Sequence, residues 1–231
     1  MKNQIVTTAI VLNRVDYGEA DRIVTVLTPD HGKVSMMARG VRRHKSKLAG
    51  GIELFSISDI TYLPGKGEVG TLVSSRLIKH YGQIVTDIDH VQLGYELIKL
   101  LNKAVEDNCD AEYYELLERT YEALDNPDIN PEFIRSWFHA QLLRLAGHTP
   151  NLRTDTSGAA LSLEQKYNFD SEGMAFIAHA QGRFTPTHIK GLRLLFGGHP
   201  VSSLHNVNGL ESSINDISPL MRTMLVTYIR T

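Results

Sequence analysis

The chain has 231 residues, 42% hydrophobic and 22% charged, which excludes collagen-like, low-complexity and wholly disordered polymers and leaves room for one or two packed domains. Its one cysteine, Cys109, can neither close an internal disulfide nor supply a CxxC zinc pair, so disulfide scaffolds and four-cysteine fingers are excluded. No apolar run reaches roughly 18 residues, and Lys2, Asn3 and Gln4 stand where a signal core would be, so a cytoplasmic protein without membrane contact is expected.

The net charge of −2 hides an asymmetry. Residues 1–82 hold twelve Lys and Arg against seven Asp and Glu, a net of +5, and the remainder is −7. A basic front suits a polyanion, and an acidic back suits water or a protein partner.

Residues 6–15 and 22–28 are rich in β-branched residues and read as strands. Thr28-Pro29-Asp30-His31-Gly32 supplies a turn before a third alternating run, Lys33 to Ala38. Leu54 to Leu63 and Val69 to Ile78 add two more strands around a turn at Pro64-Gly65-Lys66-Gly67. Five short strands with a longer connection between the third and fourth fit a closed OB-type β-barrel, which also removes exposed sheet edges. The expected division is an OB-fold domain over 1–82 and a mainly α-helical domain over 83–231.

From about Asp87 the apolar period lengthens from two to near 3.6, with Val91, Gly94, Tyr95, Ile98, Leu101 and Val105 on one stripe. Tyr113 to Leu124 continue the helical pattern, and Asn130-Pro131 reads as an N-cap with proline at the first helical position of a helix reaching Gly147. Periodicity is lost over about 147–183, an irregular insert with room for a short strand pair. A helix starting near Thr187 is stopped by Gly197-Gly198, and Ser218-Pro219 is expected to cap a last one running to Ile229.

The densest charge feature lies between His31 and Ile52, which contain no Asp or Glu and carry Lys33, Arg39, Arg42, Arg43, Lys45 and Lys47. Such a loop can follow a phosphate backbone, and six contacts imply a log-log salt slope of roughly −4 to −5. The plain alternative is a solvated basic loop with no ligand. Arg76 on the last strand is a further DNA-binding candidate, on the opposite face from Lys79 if the strand is regular. Tyr17 and Tyr62 are the candidate exposed stacking aromatics, with Phe55 in the core, so backbone-directed and sequence-tolerant binding is favoured. No nucleophile elbow, phosphate-binding loop or HExxH motif occurs, and no catalytic residue is assigned. The competing classes are a metal-dependent nuclease built on Asp16, Glu19 and Asp21, and a protein-only adaptor using the acidic half.

Ala9-Ile10-Val11-Leu12, Tyr17-Gly18-Glu19-Ala20-Asp21, Val26-Leu27-Thr28, His31-Gly32-Lys33, Ala38-Arg39-Gly40-Val41-Arg42 and Gly67-Glu68-Val69 with Thr71-Leu72 form six ordered blocks. Together they resemble the RecO family of bacterial recombination and repair proteins. Trp137 to Gly147 followed by Pro150, with Phe184-Thr185-Pro186, extends the resemblance more loosely. It implies a non-catalytic mediator that binds single- and double-stranded DNA and anneals strands coated by single-strand-binding protein. It also implies work with RecR to place the recombinase RecA on gaps. The family's contact with the acidic, hydrophobic-ended tail of single-strand-binding protein implies a cation-edged apolar groove, for which Arg135 with Phe138 and His139 is the candidate. Many members hold zinc through two cysteine pairs; here Thr154-Asp155-Thr156-Ser157-Gly158 stands at the comparable place. No metal or other cofactor is expected, and Asp155 with His179 falls short of the three or four ligands zinc needs.

Overall fold

The computed structural model describes residues 3–65 and 67–229. Lys2 and Lys66, used above, lie outside them. The chain divides into two compact units, Met1–Pro127 and Asp128–Thr231.

The first unit is built on five strands: β1 (Ile5–Tyr17), β2 (Asp21–Thr28), β3 (Gly32–Ala38), β4 (Ser56–Leu63) and β5 (Val69–His80). They close in the order β1-β2-β3-β5-β4, all neighbours antiparallel except β3 with β5. This is the expected OB barrel. Alternation places Ala9, Val11, Val24, Val26, Met36, Ala38, Ile60 and Leu72 in its interior, each large aliphatic side chain contributing about 1.5–3 kcal/mol by leaving water. Tyr62 joins that interior at 5% exposure. The expectation that it is exposed is corrected: a period of two from Ile60 turns Tyr62 inward despite the turn that follows.

Ala9 through Leu12 are all buried because β1 has two covered faces. Helices α1 (Ile88–Ala104) and α2 (Ala111–Leu124) pack on the barrel's outside, α1 against β1 and α2 against β2. Asp87 caps α1 by accepting from the Asp89 and His90 amides at 2.8 and 3.1 Å. Phe55 is the pin of this layer, with its ring against Tyr95 and Tyr121 at 5.4 and 5.6 Å. A Cβ on Gly94 would lie 2.5 Å from that ring. Phe55 holds φ at 56°, a cost offset by burying its whole ring. The β-pattern ends near residue 82 as read, while packing carries the first compact unit on through α2.

The second unit centres on α3 (Pro131–Leu145), starting where Asn130-Pro131 predicts; the Asn130 side chain accepts from the Glu132 amide at 2.9 Å. Buried on nearly every side, α3 contacts α4 (Pro186–Phe196) and α6 (Leu210–Tyr228), and a short α5 (Val201–Leu204) intervenes. Trp137 donates its indole N–H to the His199 carbonyl at 2.8 Å. The expected start of the last helix at Ser218-Pro219 is corrected. Helix α6 begins after Gly209, and Pro219 lies inside it. An interior proline costs about 3 kcal/mol, but Leu210, Ile214 and Ile217 before it and Met221, Met224 and Leu225 after it are all buried, which outweighs that cost.

The irregular insert contains the hairpin β6 (Tyr167–Asp170) and β7 (Ala175–Ala178). Phe176 meets Tyr167, Phe169 and Phe184 edge to face at 6.4, 5.3 and 5.5 Å. Asp155 accepts from the Ser157 hydroxyl and from the Ser157 and Ala159 amides, and the Ser157 bond leads in holding its carboxyl below the usual range. Aromatic packing and an Asx-type turn hold this stretch together. Among the described residues no helix is long and apolar enough to cross a membrane.

Candidate nucleic-acid interface

The basic segment leaves β3 at Ala38 and is fastened at several points. Gly40, at φ +65°, donates its amide to Asp21 Oδ1 at 2.7 Å, and the Arg42 amide donates to the Ala20 carbonyl at 2.9 Å. Val41 is buried in the barrel core, and Leu48 packs against it. Ser75 on β5 donates to the Leu48 carbonyl at 2.9 Å, and a Cβ on Gly51 would lie 2.5 Å from Ser75. Pinned at both feet, the loop turns Arg39, Arg42, Arg43, His44, Lys45 and Lys47 to solvent.

Among the described residues Arg39, Arg43, Lys45 and Lys47 form no ion pair. Arg42 is partly engaged: its guanidinium lies 3.4 Å from Asp16 and donates to the Gly18 carbonyl at 3.4 Å. Asp16 also accepts from Arg22 at 2.8 Å, and Arg22 first and Arg42 second hold its carboxyl below the usual range. Two of the three acidic residues considered for metal chemistry are thus built into the loop's support, Asp16 on two arginines and Asp21 on the Gly40 amide. This is a role that charge patterning did not reveal.

Three candidates sit elsewhere. Lys33 is not part of the free strip: its side chain is only 19% exposed, and its ammonium donates to the Val105 and Asn102 carbonyls at 2.8 and 3.3 Å, capping α1. Arg76 is exposed but is the cross-strand partner of Asp59, while its neighbour Ser75 faces the loop, so alternation turns Arg76 away from the basic strip. A register shift makes Ile78 an extra residue and brings Lys79 onto the face of Arg76, correcting the opposite-face reading; Lys79 pairs with Glu122 at 3.1 Å. Arg135 pairs with Glu132, and Phe138 and His139 are buried. The expected cation-edged groove there is corrected: Phe138 and His139 are core side chains, because α3 is covered on nearly every side. Tyr17, 56% exposed beside Gly18, is the expected aromatic that faces water.

His139 gives a pH prediction for the second unit. Burial, reinforced by Arg135 and Arg222, pushes its imidazole down to about 3 from 6.5. Between those values the unfolded chain binds the proton and the folded chain does not, so stability is complete above 6.5 and falls with acid by about 1.4 kcal/mol per pH unit. Urea midpoints followed by Trp137 fluorescence are expected to drop between about pH 7.5 and about pH 5.5, and His139→Gln is expected to flatten that slope.

Residues 1–81 match the family model described as Recombination protein O N terminal. The DNA repair protein RecO of Anaeromyxobacter sp. strain K is 32% identical over 180 residues, 76% of this chain and 70% of that relative. The chain belongs to the RecO family. Its RecO relatives in Dehalococcoides mccartyi and Halalkalibacterium halodurans are each 33% identical, over 64% and 62% of this chain. The chain spans 58% and 56% of those two proteins. RecO membership agrees with the closed barrel and makes the pinned basic loop part of the matched N-terminal region.

Proposed function

We propose that the chain is a non-catalytic DNA-binding mediator of repair and recombination, whose OB domain over 1–82 neutralises phosphates through Arg39, Arg42, Arg43, Lys45 and Lys47. The observation that carries this reading is a loop without carboxylates, pinned at both ends, four of whose cations have no ion-pair partner among the described residues. Two strands that must anneal repel each other, and a cationic surface lowers that barrier. Contacts to phosphate leave Watson–Crick edges free to find their complements. The protein then acts as a charge shield on single- and double-stranded DNA, with no bond made or broken in the nucleic acid. We infer that its partners are RecR and the tail of single-strand-binding protein, with RecA loaded downstream, as the resemblance to the RecO family implies.

A salt titration of the chain on single-stranded and duplex oligonucleotides tests the reading. Five phosphate contacts predict a log-log slope of about −3.5 to −4.5. Absence of binding at low salt, or magnesium-dependent scission of labelled DNA, overturns it.

A further inference from the structure

A groove of 560 Å³ opens in the first unit between β1 and α1, lined by Leu12, Arg14, Leu54, Tyr95, Ile98 and Lys99, with Lys103 at its rim. This volume falls within the roughly 300–1,000 Å³ of small-molecule sites. Tyr95, Ile98, Lys99, Asn102 and Lys103 follow one another at i, i+3, i+4, i+7 and i+8 and form one stripe of α1. Tyr95 is 50% exposed, with its ring fixed against Phe55 at 5.4 Å. Arg14 donates to the Ile52 carbonyl at 3.3 Å and to Glu53 at 2.8 Å, so the groove begins where the basic loop ends. Glu53 offsets Arg14, and the rim's net positive charge comes from Lys99 and Lys103.

We propose that this groove is a stacking subsite for one unpaired base of single-stranded DNA, with Tyr95 as the platform and Lys99 and Lys103 on the flanking phosphates. The inference rests on the DNA-binding reading of the barrel and adds a substrate class to it. A base can enter an apolar groove only when it is out of the duplex stack, so the subsite selects single strands. Lys99 and Lys103 are one helical turn apart, about 6 Å along α1, which suits neighbouring phosphates of an extended strand. Continuity with the loop gives that strand a path from Lys47 to Arg14 and into the groove. Base–aromatic stacking tolerates any sequence, in keeping with backbone-directed binding.

The test uses the full chain with oligothymidylate and a duplex of equal length. Tyr95→Leu is expected to weaken oligothymidylate binding about tenfold while duplex binding moves less than twofold. Lys99→Gln with Lys103→Gln is expected to lower the single-strand salt slope by about 1.5. Tyr95→Trp should restore affinity and report the stacked base by fluorescence quenching. Equal loss on both DNAs, no loss on either, or displacement of oligothymidylate from the groove by an acidic, phenylalanine-ended peptide at lower concentration than by competing DNA overturns the subsite. If Tyr95→Leu has no effect while binding still depends on Arg43 and Lys45, the subsite alone fails. If the unaltered chain binds neither DNA, the parent reading fails with it.

Discussion

Replacing Arg39, Arg43, Lys45 and Lys47 together with alanine is expected to weaken single-strand binding about a thousandfold near 0.1 M salt and to flatten the salt slope by about 3. Each of these side chains is exposed and has no ion-pair partner among the described residues. Their loss should therefore change stability by no more than about 0.5 kcal/mol each. The loop's course is set by Val41, Leu48, Ser75 and Asp21, none of which the variant touches. Lys33→Ala is the contrasting variant. Its ammonium closes the end of α1, so it should lower stability by about 1.5–3 kcal/mol and leave the salt slope unchanged. Salt-dependent binding together with urea denaturation separates the two. An unchanged slope in the fourfold variant removes the loop from the DNA interface.

That contrast marks what local sequence carries. The strands were legible because β-branched runs and turn residues act over two to five positions, and α3 because Asn130-Pro131 fixes its start locally. Burial of Tyr62 follows from the same period of two, once the turn at Pro64 is given less weight. What could not be read is decided by partners distant in the chain. Lys33 is adjacent in sequence to the basic loop, yet its partners are Asn102 and Val105. Pro219 reads as a helix start until the apolar stripe on both sides of it is set against α3 and α4. Arg135 with Phe138 and His139 looked like a surface edge because helical period gives a face and not the number of faces covered. Arg14 is far in sequence from Lys99 and Lys103, and only the packing of α1 on β1 brings them together. Charge density along the chain found the loop because that feature is itself local.

Gly32→Ala is expected to be among the most destabilising single-methyl changes in the first unit. The position holds φ at +60°, and an added Cβ would lie 2.2 Å from the Asp107 carbonyl oxygen and 2.9 Å from the Cys109 amide nitrogen. Both obstacles are backbone, so no rotamer relieves them. Left-handed backbone costs an alanine about 1–2 kcal/mol. Moving the turn away from Asp107 also breaks the Lys33 amide bond to that carbonyl, 2.8 Å long, and draws the Lys33 ammonium off the end of α1. A lost hydrogen bond and a lost charged cap add about 1 and about 2 kcal/mol, for a total near 4 kcal/mol. Gly18→Ala isolates the backbone part: φ is +57° there, but nothing lies within 4 Å of the added Cβ. Its expected cost stops at about 1–2 kcal/mol. Seven of the nine tyrosines belong to the first unit and the lone tryptophan to the second, so near-ultraviolet circular dichroism of tyrosine in urea follows the unit in question. Equal midpoints for the two variants would mean that the His31-Gly32-Lys33 turn is not docked on the α1–α2 connection. Lys33 would then return to the set of cations available to DNA.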